Sequence, residues 1–197
     1  FFEYALTLNS GDVALQRKVE NLHNKIQDLQ VAQMEADIES NPDAPDIDDK
    51  RAQIAEIRRE RAGKLIEEAK GRVERNPTDK TLRYELGQAL FEGALYTEAI
   101  PELQQARSNP HIRTKAMLLL GRCFEKKNMN DLAEGVLSEA AKELVAMDNI
   151  KKEILYELAM VYEKSGKRDQ YLEALKEIYN TDYGYRDVAK RVESSYS

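Results

Sequence analysis

The single cysteine of this 197-residue chain, Cys123, is the first candidate for chemistry. It stands close to Lys126, Lys127 and several carboxylates. Neighbouring cations lower the pKa of a thiol and so make a cysteine nucleophilic. One cysteine cannot form an internal disulfide, so nothing in the sequence demands an oxidising compartment.

Other patterns for chemistry are weak. His23 and His111 lie far apart and have no His or Cys at ligand spacing, which argues against a zinc site. The acidic segment 43–54 lacks the Gly and the final Glu of a calcium-binding loop. The sequence contains neither a Gly-rich phosphate loop nor a nucleophile elbow. Glutamates intersperse the basic run Arg58–Arg61, which favours a solvated helix face over an RNA or membrane patch. We therefore predict a protein that is not an enzyme, with no catalytic residue, metal site or cofactor.

The composition indicates helices. Charged residues make up 34% and aromatic residues 7%, with only nine Gly and five Pro. The formal charge of −6 argues against nucleic-acid binding, and no apolar run approaches the roughly 20 residues that span a bilayer. The start, FFEYALTLNSGD, has neither Met nor a signal-peptide pattern, so we expect a fragment of a longer protein. The location of the longer protein is therefore open, and a soluble, cytoplasmic location is favoured for this fragment.

The chain repeats itself every 34 residues. Leu86-Gly87 returns as Leu120-Gly121, and a step of 38 then leads to Leu158-Ala159. The same two steps relate further positions of one apolar pattern: Leu90, Phe124 and Tyr162; Ala99, Ala133 and Tyr171; Leu103, Leu137 and Leu175; Ala106, Ala140 and Ile178. Their spacing predicts two amphipathic helices per unit.

The repeated glycines and the turns carry specific expectations. A glycine inside a helix costs about 1 kcal/mol against alanine, so Gly87 and Gly121 predict close helix crossings, with Ala99 and Ala133 opposite them. Asn128 and Gly166 occupy a turn position that tolerates positive φ. Three residues are expected to cap the second helix of each unit: Thr97, Asp131 and Asp169.

The repeat also indicates the structural role of Cys123. Cys123 aligns with Ala89 in the first unit and with Val161 in the third. Free cysteine commonly serves as a small apolar residue at such positions. We therefore expect a packed thiol rather than a nucleophile.

Three segments of the chain resemble tetratricopeptide (TPR) repeats: residues 80–113, 114–151 and 152–185. The resemblance rests on the Leu-Gly pair, on the aromatic residue or Leu that follows it, and on the Ala, Leu and Ala positions of the second helix. The resemblance implies an all-α, right-handed α-solenoid with three helix pairs in residues 78–184. Residues 1–10 resemble the end of a trimmed upstream repeat. In residues 185–197 an apolar stripe predicts a C-terminal capping helix: Tyr185, Val188, Val192 and Tyr196.

Residues 11–77 show a different period. The first predicted helix has a 4-3 spacing typical of a coiled coil: Leu15, Val19, Leu22, Ile26 and Leu29. The second helix, capped by Asp48 or Asp49, has an alanine-rich seam: Ala55, Ala62, Ile66, Ala69 and Val73. Nearly equal length and complementary charge favour a long antiparallel hairpin within one chain. A coiled coil between two copies of the chain is the alternative.

The resemblance also implies a function and its residues. TPR proteins bind partners in a concave groove lined by the first helix of each repeat, which here corresponds to Tyr84, Gln88, Phe91, Leu118, Arg122, Tyr156 and Met160. Tyr84 and Gln88 stand where the family's clamp for C-terminal carboxylates has Lys and Asn, so we expect a helix or extended peptide with an apolar face and mixed charge instead. The predicted function is a non-catalytic adaptor or scaffold for a protein partner. Self-assembly through the coiled coil is the alternative, and neither nucleic-acid binding nor membrane insertion is expected.

Overall fold

The structure is a computed structural model that describes residues 4, 7, 11–41 and 43–196. The predicted end of an upstream repeat, in residues 1–10, falls outside the described residues except for Tyr4 and Thr7. The part of the chain that the structure describes is all-α and contains no β-strand. None of its helices is long and apolar enough to cross a membrane.

Nine α-helices follow one another in the described residues from Val13 onwards. They are α1 (Val13–Ser40), α2 (Ile47–Arg75), α3 (Lys80–Glu92), α4 (Tyr96–Ala106), α5 (Arg113–Lys126), α6 (Asn130–Glu143), α7 (Asn149–Lys164), α8 (Arg168–Tyr179) and α9 (Val188–Glu193), and a 3-10 turn, Ser194–Tyr196, follows α9. The chain divides into two compact units, Phe1–Arg61 and Ala62–Ser197.

The first unit contains α1 and the beginning of α2. Asp12 caps α1 by accepting a hydrogen bond from the backbone N–H of Leu15 at 3.0 Å. Asp48 and Asp49 lie in the first turn of α2, where negative charge suits the helix dipole, and not at its cap. Ion pairs join the two helices: Lys50 Nζ lies 3.3 Å from Asp37 Oδ2, Arg58 Nη2 lies 2.6 Å from Glu35 Oε1, and Arg61 pairs with Asp28.

The apolar stripe predicted for α1 is partly exposed: Leu15 and Val19 are half-buried, and its other three residues are exposed. Leu22, Ile26 and Leu29 expose 37%, 54% and 65% of their surface. A second stripe with the same 4-3 spacing is buried or half-buried instead: Gln27, Val31, Met34 and Ile38. The spacing alone does not choose between two stripes on one helix, and the expectation that Leu22, Ile26 and Leu29 are covered within this chain is wrong.

Four of the five residues of the alanine-rich seam predicted for α2 are buried. Ala55 is exposed. The remainder of the seam belongs to the second unit and shares one core with Leu86, Ala89 and Leu90 of α3: Ala62, Ile66, Ala69 and Val73. A Cβ added to Gly93 would meet Ile66 Cδ1 at 3.0 Å and Ala62 Cβ at 3.2 Å. The second half of α2 therefore covers the first helix pair.

The repeated glycines mark close helix crossings, as predicted. A Cβ on Gly87 would lie 2.7 Å from Leu103 Cγ and Cδ2, and one on Gly121 would lie 2.6 Å from the same atoms of Leu137. The atoms nearest to each added Cβ thus belong to the leucine one turn beyond the expected alanine. Ala99 and Ala133, the residues predicted to face the glycines, are themselves fully buried.

The three turns inside the helix pairs share one backbone conformation. Ala94, Asn128 and Gly166 have φ angles of 58°, 58° and 70°, which are left-handed. The next helix begins immediately after each turn. The N-cap residues of these three helices are Leu95, Met129 and Lys167, and none of them forms a side-chain capping hydrogen bond. The residues predicted as caps, Thr97, Asp131 and Asp169, lie inside the first helical turn, so that prediction is wrong.

The end of the array is covered by α9. Val188 and Val192 expose 0% and 3% of their surface and share a core with Leu155, Leu175 and Ile178. Of the predicted stripe, Tyr185 is half-buried and Tyr196 is exposed. The two valines therefore anchor the C-terminal segment on the third helix pair.

Candidate functional site

The first helices of the three pairs share one cavity of ≈ 380 Å³. α3 contributes its last turn, α5 its C-terminal half and α7 its last two turns. The side chains that line this inter-repeat cavity are Phe91, Arg122, Glu125, Lys126, Glu157, Met160, Glu163 and Lys164. Three of the seven predicted groove residues are among them: Phe91, Arg122 and Met160.

Phe91 and Met160 form the apolar part of the inter-repeat cavity. Both side chains are half-buried. The Phe91 ring packs against that of Tyr96, with centroids 5.4 Å apart and planes tilted by 57°. This contact packs one side of Phe91 against Tyr96 and leaves an apolar wall, the kind of surface that accepts an anchor side chain of a partner.

Arg122 is engaged within the chain and is not a free binding group. Its Nη2 lies 2.6 Å from Glu153 Oε1 and 2.7 Å from Glu157 Oε1, and its Nε donates a further bond to Glu157 at 3.1 Å. All three side chains are half-buried. The arginine therefore ties the second helix pair to the third, a role that the sequence did not suggest.

The remaining charges around the inter-repeat cavity are also paired. Lys164 and Lys126 both reach Glu125, the latter at 3.5 Å. Arg191 Nη1 lies 3.2 Å from Glu163 Oε2. Burial opposes the ionisation of Glu125, yet the hydrogen bond from Lys164 and the charges of both lysines outweigh it and lower the pKa of this carboxyl. The apolar side chains of Phe91 and Met160 are thus surrounded by a rim of positively and negatively charged side chains.

The other predicted groove residues do not line this cavity. Tyr84 is half-buried; burial raises the pKa of its hydroxyl, with nearby Arg122 acting in the opposite direction. Gln88 is exposed and donates a hydrogen bond to Glu92 at 3.0 Å. Leu118 exposes only 7% of its surface and belongs to the core, which leaves it little area to offer a partner.

Tyr156, the last predicted residue, contacts the C-terminal segment. Its hydroxyl donates to Asp187 Oδ1 at 2.7 Å, and the guanidinium of Arg186 lies 4.5 Å from its ring centroid. Arg186, Asp187 and Glu157 were not predicted from the sequence.

Cys123 has no exposed surface, and burial raises the pKa of its thiol to about 12. A thiol in this state is protonated at neutral pH and is not nucleophilic. The prediction of a packed cysteine agrees with this position. Among the described residues, no group of three or more His, Cys, Asp or Glu side chains could hold a metal ion.

Comparison with known proteins gives similarity at the level of structure. No protein-family model matches the sequence, and no curated protein matches it. Solved structures do. The chain is similar to YrrB, described as a TPR protein with an unusual peptide-binding site, at a TM-score of 0.58 and 18% identity over 98% of this chain and 97% of that one.

Two further solved structures are similar. MamA gives a TM-score of 0.58 at 17% identity, over 78% of this chain and 83% of MamA. TTC0263, a TPR protein of Thermus thermophilus, gives 0.55 at 19% identity, over 92% of this chain and 96% of that one. At these identities the comparison establishes the fold, and the fold is that of TPR proteins.

Proposed function

We propose that this chain is a non-catalytic protein interaction module that binds a peptide or helix of a partner in the inter-repeat cavity. The observation that carries the proposal is the pair of half-buried apolar side chains, Phe91 and Met160, in a cavity shared by all three first helices. The description of YrrB as a TPR protein with a peptide-binding site supports the same class of function.

The lining of the inter-repeat cavity defines the kind of ligand. A volume of ≈ 380 Å³ accommodates one or two large side chains rather than a whole peptide. The charged rim carries three basic and three acidic side chains, Arg122, Lys126 and Lys164 against Glu125, Glu157 and Glu163. We therefore expect an apolar anchor residue flanked by charges of both signs.

The proposal is tested by affinity capture from the native cell extract with the double variant Phe91→Ala, Met160→Ala. Wild-type protein should retain a partner that the variant loses, because the apolar contact is removed while the ion pairs stay. Leu132→Ala is the matched control, since Leu132 is an exposed aliphatic residue (47%) that does not line the cavity.

Circular dichroism should show the same helicity for all three proteins. Equal capture by the wild type and the folded double variant would contradict the assignment of the cavity. Capture lost equally with Leu132→Ala would mean that binding depends on general stability and not on Phe91 and Met160.

The second candidate function is self-assembly through α1, and the exposed stripe Leu22, Ile26 and Leu29 favours it. This candidate is compatible with the antiparallel hairpin that we also propose for residues 11–77. The hairpin is supported by the ion pairs between α1 and α2, which lie beside the other, more buried stripe of α1. A second copy of the chain would then cover the exposed stripe.

Analytical ultracentrifugation at micromolar concentration tests self-assembly. A dimeric wild type and a monomeric Ile26→Lys, Leu29→Lys variant would support it, because two charges in a coiled-coil seam prevent its burial. Leu132→Lys is the control for an added charge elsewhere. A monomeric wild type contradicts this second candidate and leaves the first intact.

A further inference from the structure

The segment between α8 and α9 lies against α7, which is the first helix of the third helix pair. Tyr156 donates a hydrogen bond to Asp187 at 2.7 Å, and Lys152 Nζ lies 2.7 Å from Asp182 Oδ2. Between these contacts, the Arg186 guanidinium lies 4.5 Å from the Tyr156 ring centroid and 5.4 Å from that of Tyr185. A guanidinium over aromatic faces is a recognised attractive arrangement.

Two carboxylates complete the surroundings of this guanidinium. Arg186 Nη2 lies 3.7 Å from Glu153 Oε1, and its Nη1 lies 3.9 Å from Glu157 Oε1. The same oxygens hold Arg122 at 2.6 and 2.7 Å. Two arginines thus share two carboxylates, and Arg122 has the close contacts while Arg186 has the distant ones.

Other features also indicate that Arg186 is held less firmly than Arg122. Its side chain is 41% exposed, against 25% for Arg122. Its backbone has φ 49°, in the left-handed region that a residue with a Cβ disfavours. Burial of Val188 and Val192 anchors the segment further along, so the guanidinium can leave its place without releasing α9.

We propose that Tyr156, Glu153 and Glu157 form a binding site for the guanidinium of an arginine in the partner, and that Arg186 occupies this site when no partner is bound. The site adjoins the inter-repeat cavity, because Glu157 lines both. This inference rests on the proposed function and adds a ligand class to it: a partner segment with an arginine beside its apolar anchor.

Charge complementarity favours an arginine-bearing occupant. Removing the Arg186 side chain leaves the two carboxylates with Arg122 as their close partner, a net negative site beside an aromatic ring. An ammonium lacks the planar face that stacks on Tyr156, and an acidic peptide would be repelled. The alternative is that these contacts only cap the last helix pair, which makes a different prediction.

The probe for the test is N-acetylarginine methylamide, and its neutral isostere N-acetylcitrulline methylamide is the control ligand. Binding is measured by NMR titration of the full chain, following the amide signals of Tyr156 and Glu157. The variant is Arg186→Gly, because glycine accepts the left-handed backbone and removes the competing guanidinium. The matched control variant is Lys190→Ala, which removes one exposed positive charge from the same C-terminal segment.

The arginine probe should bind Arg186→Gly with a dissociation constant at least about tenfold lower than it has for the wild type or for Lys190→Ala, because an internal competitor reduces apparent affinity. The citrulline probe should not bind. Adding Glu157→Gln to Arg186→Gly should abolish binding. If Arg186→Gly is poorly folded, Arg186→Asn serves instead, since asparagine also tolerates this backbone.

Equal binding of the arginine probe to the wild type and Arg186→Gly, or equal binding of the citrulline probe, overturns the proposal. A lowered melting temperature without a change in binding leaves Arg186 with a capping role only. The test is separable from that of the adaptor function. Partner capture that depends on Phe91 and Met160, together with no response to the arginine probe, would retain the adaptor and reject the arginine site.

Discussion

Arg122 on α5 and Glu157 on α7 form a two-point contact between the second and third helix pairs. Nη2 and Nε of the arginine lie 2.7 and 3.1 Å from the same carboxylate oxygen, Glu157 Oε1. Arg122, which the groove pattern of the family predicted to bind a partner, thus forms an ion pair between two helix pairs of the same chain. A loss of binding on mutation of Arg122 would therefore mix two effects, recognition and internal stability.

The first prediction follows from that contact. Arg122→Ala should lower the free energy of unfolding by about 1 kcal/mol, because it leaves two half-buried carboxylates without their close partner. Lys115→Ala is the control: Lys115 is an exposed basic residue on the same helix, and its loss should change stability by less than about 0.5 kcal/mol. Urea denaturation measures both. Equal midpoints for the two variants would contradict a structural role for Arg122.

The second prediction concerns the helix crossing at Gly121. Gly121→Ala should destabilise the protein by about 1–2 kcal/mol, because its Cβ would lie 2.6 Å from Leu137 Cγ and the overpacking outweighs the gain in helix propensity. Gly135→Ala should have the opposite sign and stabilise by up to about 1 kcal/mol, because Gly135 lies inside α6 with no atom within 4 Å of an added Cβ. Thermal denaturation of the two variants gives the comparison, and a stabilising Gly121→Ala would refute the close crossing.

The third prediction uses the three left-handed turns. Ala94→Gly should stabilise the protein by about 0.5–1 kcal/mol, because alanine at φ 58° carries a steric cost that glycine lacks. Gly166→Ala, at the equivalent turn of the third helix pair, should destabilise by about 1 kcal/mol for the same reason. Asn128→Gly should lie between them, since asparagine tolerates this region. Chemical denaturation of the set should give this order; an effect of the same sign at Ala94 and Gly166 would contradict it.

The fourth prediction concerns the thiol of Cys123. Its pKa is raised by burial to about 12, so the thiol stays protonated from neutral pH up to mildly alkaline conditions and should not react with a disulfide reagent in the native protein. The same thiol should react rapidly in denaturant, where its pKa returns to its ordinary value. Rapid stoichiometric reaction of the folded chain at neutral pH would show that the cysteine is accessible.

Much of the fold follows from local pattern. The 34-residue period places leucines and alanines on facing stripes of paired helices, and this periodicity predicts the helices, their pairing and the buried positions, Cys123 included. The glycines at 87 and 121 indicate close crossings for the same reason, because glycine is costly in a helix unless a neighbour requires the space. The atoms nearest to an added Cβ belong to the leucines one turn beyond the expected alanines, and sequence spacing does not fix how far one helix is shifted along another.

What the tertiary structure decided is which stripe faces which partner. Residues 13–40 carry two stripes with the same spacing; Gln27, Val31, Met34 and Ile38 are buried or half-buried, whereas Leu22, Ile26 and Leu29 are exposed. The second half of α2 packs into the core of the helix pairs. Ion pairs such as Arg122 with Glu157, and the placement of Arg186 over Tyr156, depend on side chains from different helices meeting in space. The amino-acid sequence by itself determined a TPR-like helical array with a groove pattern. Only the packed helices decided which groove residues remain open, because an ion pair or a buried face depends on long-range geometry and leaves no local signal.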